Sequence, residues 1–389
     1  MDKLSIFDII NRMKEDNKKV VIVGAGMLGQ YVLAHMRKEG VEPVVFFDNK
    51  VEAGLLVEGI EVTRPKLLSD GHIYIISVKD ESTVQVLYEQ LKAEGITETN
   101  ILIQEYYPQT YDFRSKLQEC DLKKIVDMDY YDCYHRLMDW DAPRTYNERI
   151  NWEKVYVRDK RKTQLADKYL VRAWIEEKIG RQYLNEIYGV WDNAEDIDYS
   201  LLPEQFVLKI NNGSLRNIIV TDKTSIDKEA ICKQLNEWKA INFGHLYLEA
   251  QYRDIVPKII CEKYLAGLGE QFYDYDIFCF HGEPKYIQCI SGCHREGAKA
   301  AFYDTNWNKQ TFTQAYIYDE ENAPRPKNLE KMLELSRTLA KEFDHVRVDW
   351  FEYPDSADGF LFSEMTFSTW GGKRKFIPEE YDTVFGALI

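Results

Sequence analysis

Two acidic residues in the stretch HVRVDWFEYPDSADGFLFSEMTFSTWGG, residues 345–372, have the types and spacing to hold a metal ion. Asp349 and Glu364 lie on the predicted strands His345–Phe351 and Gly359–Thr366, and a turn rich in Pro, Asp, Ser and Gly would join these strands in a hairpin. Two carboxylates that converge in this way suit Mg²⁺, which commonly links one or two protein carboxylates to substrate phosphates. The same residues could form a cross-strand salt bridge on a solvated sheet face, and residue types alone favour that alternative.

Arg347 and an upstream loop add groups that could bind phosphate. Arg347 precedes Asp349 by two residues and therefore shares its strand face, where a guanidinium could neutralise a phosphoryl group. The segment FVLKINNGS contains a predicted strand, Phe206–Ile210, that carries Lys209 near its end. The loop that follows could hold triphosphate oxygens with its backbone N–H groups, and it consists of Asn211, Asn212, Gly213 and Ser214.

Two more residues complete this upstream set. Glu262, in IICEKYL, lies in the predicted strand Ile259–Leu265 and could present a carboxylate and backbone amides to a purine edge. Lys168, in ADKYLVR, lies in the predicted helix Ala166–Ile179 and would be a further phosphate ligand. Together with the hairpin, these residues favour a nucleotide site over a salt bridge.

A mixed α and β pattern is predicted to position these residues. Its remaining predicted strands are Asn217–Thr221, Asp274–Phe280 and Pro284–Ile290, and its predicted helices are Lys228–Lys239 and an amphipathic segment with Leu329, Met332, Leu333, Leu339 and Phe343 at helical spacing.

The glycines of KVVIVGAGMLGQ indicate a tight turn between a strand and a helix. Gly24, Gly26 and Gly29 have G-x-G-x-x-G spacing after the predicted strand Lys19–Val23, and Asp48 ends the next predicted strand. This is the local context of a dinucleotide site on a parallel sheet. The alternating pattern continues with the strand Ile73–Ser77, the helix Ser82–Glu94 and the strand Ile101–Ile103.

The pattern does not identify the ligand of this N-terminal module. The alternation of strands and helices stops near residue 104, so a second mononucleotide-binding half is missing. The glycines could bind a redox dinucleotide, could simply pack helix against strand, or could line a nucleotide or nucleotide-sugar pocket. The segment resembles the small Rossmann-like module that precedes sugar acetyltransferases and other sugar-modifying enzymes. We expect a nucleotide sugar or no ligand, and no hydride transfer.

Composition limits the class of protein. The chain has 389 residues, 45% hydrophobic and 30% charged, which predicts a globular protein of two or three domains. Its net charge of −15 disfavours nucleic acid as a partner. Seven cysteines, an odd number, are typical of free thiols in a reducing compartment. We find no signal peptide, and the longest apolar stretch, Val20–Ala34, is too short for a bilayer, so a cytoplasmic location without a membrane span is predicted.

We predict a Rossmann-like module over residues 1–105, a helical linker over 106–162 and a second domain over 163–389. The linker is rich in aromatic residues, for which packing at a domain junction is favoured over sugar stacking. The motif Cys289, Cys293, His294 is more typical of buried thiols than of zinc. The basic stretch WGGKRKF could bind an acidic substrate or form a solvated turn.

The upstream loop, EKYL and the terminal hairpin, in this order, resemble the ATP-grasp fold. Similarity to D-alanine:D-alanine-ligase-type sequences is close at VRVDWF followed by EMT, and at EKYL. The region 143–389, with PRTYNERINWEK, FVLKINNGS and SEMTFSTWGG, more specifically resembles the teichuronopeptide-biosynthesis type of ATP-grasp protein. The expected fold is thus an α/β Rossmann-like N-terminal domain followed by an α+β ATP-grasp fold.

The resemblance implies ATP and Mg²⁺ as cofactors and assigns the residues that bind them. ATP phosphates are expected on Lys168 and Lys209 and on a flexible loop, adenine on the EKYL segment, and metal on the terminal hairpin, with Arg347 and Lys209 as catalytic residues. In full, the loop is Asn212, Gly213 and Ser214, the adenine residues are Glu262, Lys263 and Leu265, and the metal residues are Asp349, Glu364 and Thr366.

Two positions depart from the family pattern. Thr366 offers a hydroxyl where the usual E-x-N metal motif has an amide, which puts a second metal ion in doubt. Asp276 stands where a basic residue is expected, so the roles of Asp274 and Asp276 are open.

The activity implied by the resemblance is ligation of a carboxylate to an amine through an acyl phosphate. The expected context is cell-surface polysaccharide synthesis, with a small-molecule or sugar-linked carboxylate, such as a uronic acid, as one substrate and an amine as the other. A glycosyltransferase of capsule or cell-wall polysaccharide synthesis is the alternative enzyme, and a protein that binds ATP without turnover is the alternative outside enzymes.

Overall fold

A computed structural model describes residues 2–16, 18–50, 52, 54–68, 71–214, 216–267, 272–292 and 297–389. The chain divides into two compact units. The first unit comprises Met1–Gln109 and Leu117–Met138, and the second comprises Thr110–Lys116 and Asp139–Ile389. The segment predicted as a linker, 106–162, is therefore divided between the units. Its helix Leu122–Tyr134 packs against the helix Met27–Lys38 of the first unit, and its later helices pack in the second unit.

The first unit is built on a mostly parallel sheet. Among its described residues the strands follow the order β1-β7-β6-β2-β3-β5-β4, and only the β4–β5 pair is antiparallel. Its central strands are apolar and buried, as expected for parallel strands covered on both faces. The elements are β1 Lys3–Leu4, α1 Ile6–Asp16, β2 Lys19–Val23, α2 Met27–Lys38, β3 Val45–Phe47, β4 Leu56–Val57, β5 Ile60–Thr63, β6 His72–Ile76, α3 Glu81–Ala93, β7 Ile101–Gln104, α4 Tyr111–Arg114, which belongs to the second unit, and α5 Leu122–Tyr134.

The second unit contains the rest of the chain. Its helices are α6 Tyr146–Tyr156, α7 Lys160–Ala166, α8 Val171–Lys178, α9 Lys228–Lys239, α10 Phe243–Leu246, α11 Ala250–Arg253, α12 Leu329–Ala340 and α13 Glu380–Gly386. Its strands are β8 Ile187–Trp191, β9 Phe206–Ile210, β10 Asn217–Val220, β11 Ile259–Lys263, β12 Asp274–Phe280, β13 Glu283–Ser291, β14 Lys299–Asp304, β15 Thr313–Gln314, β16 Ile317–Tyr318, β17 His345–Glu352, β18 Phe360–Thr366 and β19 Phe376–Ile377.

Two sheets of the second unit carry the predicted site residues. In the described residues, an antiparallel four-stranded sheet has the order β10-β9-β11-β8, and a six-stranded sheet has the order β16-β14-β13-β12-β17-β18. One face of the six-stranded sheet packs on α12, where the buried Trp350 donates a hydrogen bond from Nε1 to Ser336 Oγ at 2.9 Å. The opposite face packs Phe278 and Phe280 against α6 and α13 at one end. At its other end it carries polar side chains from β12, β17 and β18.

Most of the predicted elements are confirmed, and several boundaries shift. The predictions for β2, β9, α9 and β12 match residue for residue. The prediction of one continuous helix over Ala166–Ile179 is wrong, because α7 ends at Ala166 and α8 begins at Val171. Strands β8 and β14 were not predicted, and Cys293 and His294 of the candidate zinc motif lie outside the described residues.

In the part of the chain that the structure describes, no helix combines the length and the apolar character that crossing a bilayer requires.

Candidate active site

A row of acidic residues crosses the polar face of the six-stranded sheet. Asp276 on β12 is paired in register with Asp349 on β17, which is paired in turn with Glu364 on β18. Paired residues of neighbouring strands project to the same face, so these three carboxylates are neighbours. The predicted hairpin is confirmed, and it brings Asp349 and Glu364 together.

Arg347 is the cation at the centre of this row. Its Nε and Nη2 donate to the two carboxylate oxygens of Asp349 at 2.7 and 2.6 Å, and its Nη1 lies 3.1 Å from Asp276 Oδ2. This contact gives Asp276 a role that the sequence left open: it is a second counter-ion of Arg347. We call Asp276, Arg347, Asp349, Glu364 and Thr366 the acidic floor.

Thr366 lies among the oxygens of the floor. Its Oγ1 is 3.0 Å from Asp349 Oδ2, 3.4 Å from Glu364 Oε1 and 3.3 Å from Arg347 Nη2. The hydroxyl therefore accepts from the guanidinium and can donate to one carboxylate at a time.

Burial and charge act in opposite directions on these groups. Burial raises the pKa of Asp276 well above its usual range and also raises the pKa of Asp349, and in both cases Arg347 offsets part of the effect. Burial also opposes ionisation of Glu364, but Lys168, Arg347 and Lys209 outweigh it and lower its pKa to about 2. The three carboxyl groups share two directly bonded cations, Arg347 and Lys168.

Lys168 reaches the floor because Asp167 interrupts the helix. The Asp167 carboxylate accepts hydrogen bonds from the backbone N–H groups of Tyr169 and Leu170 at 2.7 and 3.1 Å, which competes with continued helix formation. In the resulting turn, Lys168 Nζ donates to Glu364 Oε2 and to the Gly213 carbonyl, both at 2.8 Å. One ammonium thus joins the predicted phosphate loop to the predicted metal residues.

Lys209 and Glu262 face each other across β9 and β11. Lys209 Nζ lies 2.6 Å from Glu262 Oε2, and Arg172 Nη1 lies 3.8 Å from Glu262 Oε1. Asn185 Nδ2 donates to the Lys263 carbonyl at 2.9 Å. The sequence analysis did not select Arg172 and Asn185, because nothing in their local pattern indicates that they lie beside Glu262.

The loop after β9 contains a buried polar group without a partner. Asn212 has no exposed surface, and neither its side-chain oxygen nor its nitrogen has a hydrogen-bond partner among the described residues. The neighbouring Asn211, by contrast, bonds Asp167, the Val256 carbonyl and the Lys258 N–H. A buried amide left unsatisfied is costly, and a ligand such as phosphate could accept a hydrogen bond from its nitrogen.

Ser214 and the EKYL residues differ in exposure. Ser214 is exposed at the end of the loop, Lys263 is exposed, and Leu265 is buried. Lys263 is joined to the other site residues through Asn185, which bonds its carbonyl, and through the neighbouring Glu262.

The acidic floor fits a magnesium ion that is held partly by nucleotide phosphates. Asp349, Glu364 and Thr366 supply oxygen atoms within a few ångströms of one another, and oxygen is the ligand that Mg²⁺ prefers. Within the described residues, no three His, Cys, Asp or Glu side chains form a metal site by themselves. Both oxygens of Asp349 also bind Arg347, so the floor suits a metal with few protein ligands.

A second polar cluster lies near the floor and was also missed from the sequence. Gln251 Nε2 donates to Ser368 Oγ at 2.8 Å, and Glu249 also bonds this hydroxyl. Burial raises the pKa of Glu249 to about 7, partly offset by Lys154 and Lys373, and Glu364 raises it further. Glu249 is therefore within electrostatic range of both the floor and the basic stretch.

The glycine turn of the first unit is explained largely by packing. A Cβ on Gly24 would lie 2.7 Å from the Ser77 carbonyl oxygen, and one on Gly29 would lie 1.9 Å from the Gly24 oxygen. A Cβ on Gly26 would meet nothing within 4 Å. Asp48, predicted to meet a ribose, accepts from the Ala25 N–H at 2.8 Å and so bonds the turn itself.

The two sheets joined through Lys168, with Lys209 and Glu262 on one and the acidic floor on the other, define an ATP-grasp protein. The family model described as TupA-like ATPgrasp matches residues 148–389. Because this match covers more than half of the chain, the chain belongs to the TupA-like ATP-grasp family. The predicted membership of the ATP-grasp superfamily is confirmed, and no curated protein matches the chain in sequence.

Solved structures resemble the chain only distantly. The N5-carboxyaminoimidazole synthase from Aspergillus clavatus, in complex with ADP and 5-aminoimidazole ribonucleotide, is 12% identical over 90% of this chain and 69% of its own, with a TM-score of 0.31. The ATP-grasp ligase PsnB, with a variant of its minimal precursor, Mg and ADP, is 11% identical over 95% of this chain and 99% of its own, with a TM-score of 0.31.

Proposed function

We propose that the chain is an ATP-dependent ligase that joins a carboxylate to an amine through an acyl phosphate. The observation that carries this proposal is the convergence of Lys168, Arg347 and the carboxylates of Asp349 and Glu364 on one polar face. Phosphoryl transfer is catalysed chiefly by positioning and charge stabilisation, and this face supplies both.

The residues divide into groups that bind and groups that stabilise charge. Lys168, Lys209 and the loop Asn212–Ser214 would bind the nucleotide phosphates, and Glu262 with the segment that follows it would bind the adenine. Arg347 would stabilise the charge that develops on the transferred phosphoryl group. Mg²⁺, held by Asp349 and Glu364, would neutralise phosphate charge when bound.

The proposed substrate class follows from the resemblance to teichuronopeptide-biosynthesis proteins. The carboxylate would be a uronic acid, free or within a cell-surface polysaccharide, and the amine would attack its acyl phosphate to give an amide. Because the reaction consumes ATP, we place it in the cytoplasm.

For the first unit we propose a Rossmann-like module that binds a nucleotide-linked sugar. The open space beside Gly26, which is the N-cap of α2, supports this proposal, since the N-terminus of a helix attracts phosphate. Titration of the full chain with uridine diphosphate sugars, compared with Gly26→Val, tests it. Equal binding by both proteins would contradict it.

The ligase proposal is tested by measuring ADP release from the full chain with ATP, Mg²⁺, a uronic acid and a panel of amines, and by mass spectrometry of the product. We expect an amide and stoichiometric ADP, both lost in Asp349→Asn. The matched control is Asp344→Asn, because the Asp344 side chain is 84% exposed. Consumption of a nucleotide sugar without ADP release would favour the glycosyltransferase, and tight ATP binding without turnover would favour a sensor.

A further inference from the structure

The motif PRTYNERINWEK, residues 143–154, begins helix α6, and most of its polar residues have packing roles. Thr145 and Glu148 form a capping box at the first turn of the helix. Three further side chains on one helix face donate hydrogen bonds to carbonyl groups of the basic loop, Trp370–Lys375. They are Asn147, Asn151 and Lys154. These contacts leave two cations of the motif to be explained, Arg144 and Arg149.

Arg144 and Arg149 line a hollow of the second unit. The hollow has a volume of about 540 Å³, which lies within the range of about 300–1,000 Å³ that is typical of small-molecule sites. Its remaining walls are residues 141–143 and the small residues Thr383, Gly386 and Ala387. Helix α13 packs closely beside the arginines, because a Cβ on Gly386 would lie 2.1 Å from the Arg144 carbonyl oxygen.

Neither guanidinium has a partner in the part of the chain that the structure describes. No hydrogen bond or ion pair joins the side chain of Arg144 or Arg149 to another described residue, and Arg149 Nε is buried without one. The nearby acids are bonded elsewhere: Glu148 accepts from backbone N–H groups at the start of α6, and Asp382 accepts from Asn147. Two unpaired guanidiniums beside a hollow favour an anionic ligand, since a buried donor gains most from an acceptor.

The charge of two guanidiniums favours phosphate over carboxylate. Each guanidinium presents a planar fork of N–H donors that binds two oxygens of either group. A carboxylate has one charge and two oxygens, which a single arginine satisfies. A phosphate monoester has a charge between about −1.5 and −2 at neutral pH and three acceptor oxygens. Two arginines therefore match a phosphate monoester better than a carboxylate.

We propose that Arg144 and Arg149 bind the phosphate group of a phosphorylated small molecule in this hollow. The site goes beyond the proposed ligase function, because no residue that lines the hollow belongs to the acidic floor or to the proposed ATP site. The rest of the hollow accommodates the body of the ligand, and Asp141, exposed at its rim, can accept a hydrogen bond from a ligand hydroxyl.

The test is calorimetry on the full chain with glucose 6-phosphate. We expect Arg144→Ala to weaken binding at least about tenfold, the scale of one charge-assisted hydrogen bond, and Arg144→Ala/Arg149→Ala to abolish it. Arg149→Lys keeps the charge but not the fork and should also weaken binding. Equal binding by the wild type and the double variant would overturn the proposal.

Two control variants separate this site from net charge and from the ATP site. Arg12→Ala/Arg325→Ala also removes two exposed arginines and should bind glucose 6-phosphate like the wild type. Lys209→Met removes a proposed phosphate ligand of the ATP site and should likewise leave this binding unchanged. If either control loses binding as fully as Arg144→Ala/Arg149→Ala, the hollow is not the binding site.

The pH dependence of binding identifies the ligand chemistry. The second pKa of a phosphate monoester is about 6, so affinity for glucose 6-phosphate should rise about tenfold from pH 5 to pH 7 as the dianion forms. Glucose 6-sulfate keeps one charge over this range and reports any titration of the acids near the arginines, which are Asp141, Glu148 and Asp382. A constant ratio of the two affinities, or galacturonic acid bound as tightly as glucose 6-phosphate, would contradict a phosphate site.

The outcome is independent of the ligase proposal, because none of these titrations requires ADP release. Denaturant unfolding shows whether each variant folds. If Arg144→Ala/Arg149→Ala does not fold, Arg144→Ala decides the matter, because the Arg144 side chain is exposed and makes no contact on which the fold depends. Unchanged binding in that variant would then overturn the proposal.

Discussion

Each unit of the chain has an aspartate within a strand or directly after one, but the two accept hydrogen bonds from different kinds of donor. In the first unit, Asp48 accepts hydrogen bonds from the backbone N–H groups of Ala25 and Lys50, at 2.8 and 2.7 Å. In the second unit, both oxygens of Asp349 are bonded to Arg347, which Asp276 also contacts. One acid stabilises a turn with local donors, and the other belongs to a buried network of charges.

This difference separates a structural acid from a candidate functional one. Loss of Asp48 removes the hydrogen bonds that it accepts from two backbone N–H groups. Loss of Arg347 leaves the carboxyl groups of Asp276 and Asp349 buried without the cation that they share, which is far more costly. The following predictions test whether loss of charge has a larger effect in the acidic floor than at Asp48.

The largest effect is expected for Arg347→Ala. Removal of the guanidinium leaves Asp276 and Asp349 buried together, which should lower the free energy of unfolding by about 3–5 kcal/mol and ADP release by about 10²-fold or more. Denaturant unfolding and steady-state kinetics measure the two effects. Arg337→Ala is the control, since its ion pair with Glu283 is half exposed and should contribute at most about 1 kcal/mol. Equal stability losses in the two variants would contradict a coupled floor.

The second-largest effect, a loss of Mg²⁺–nucleotide binding, is expected for Glu364→Gln. The variant removes a carboxylate from the candidate metal site and frees Lys168, so it should weaken binding of a Mg²⁺–ATP analogue at least about tenfold and reduce turnover with it. Calorimetry with and without Mg²⁺ measures the change. Glu330→Gln, at a carboxylate that is 74% exposed, should bind like the wild type. Unchanged Mg²⁺ dependence in Glu364→Gln would show that Glu364 is only a salt-bridge partner.

A pH effect is expected at Glu249. Burial raises its pKa from 4.5 to about 7, so the folded state binds more protons than the unfolded state between these values. Its contribution to stability is full below about pH 4.5 and is lost as the pH rises to about 7. Glu249→Gln stays neutral, so its Tm should rise relative to the wild type over this range. A constant Tm difference, as expected for the exposed Glu204→Gln, would contradict the prediction.

The smallest effect is expected for Asp48→Asn in the first unit. The amide can still accept one of the two backbone hydrogen bonds, so the loss of stability should be about 1 kcal/mol. Calorimetry should show unchanged ATP binding, because the proposed ATP residues lie in the second unit. Loss of ATP binding in Asp48→Asn would erase the distinction between the two regions.

The sequence was most informative where local pattern and chemistry coincide. Periodicity predicted β9 and β12, and residue types at predicted strands indicated Lys209, Asp349 and Glu364 as candidates before the resemblance assigned their roles. The predicted helix Ala166–Ile179 included Lys168, whereas the Asp167 carboxylate interrupts that helix by accepting from the Tyr169 and Leu170 N–H groups. Local hydrogen bonds of this kind are decided by geometry that periodicity does not report.

Contacts between distant segments were not predictable in the same way. The spacing of Asn147, Asn151 and Lys154 is visible in the sequence, but their partners lie more than two hundred residues away on the basic loop. The pairing of Asp276 with Arg347 depends on the register of β12 and β17, which a single sequence does not specify. The role of Asp276 could therefore be read only from the folded chain.

Lys168 donates two hydrogen bonds, one to Glu364 on β18 and one to the Gly213 carbonyl in the loop after β9. This shared contact has a thermodynamic consequence. A cation that binds Glu364 competes with the lysine for that carboxylate and releases its ammonium for an anion. An anion that takes the ammonium likewise releases Glu364 for a cation. Each ligand therefore raises the affinity for the other by the same factor, because coupling free energies are reciprocal. A single shared lysine is sufficient to make cation and anion binding cooperative without any movement of the sheets.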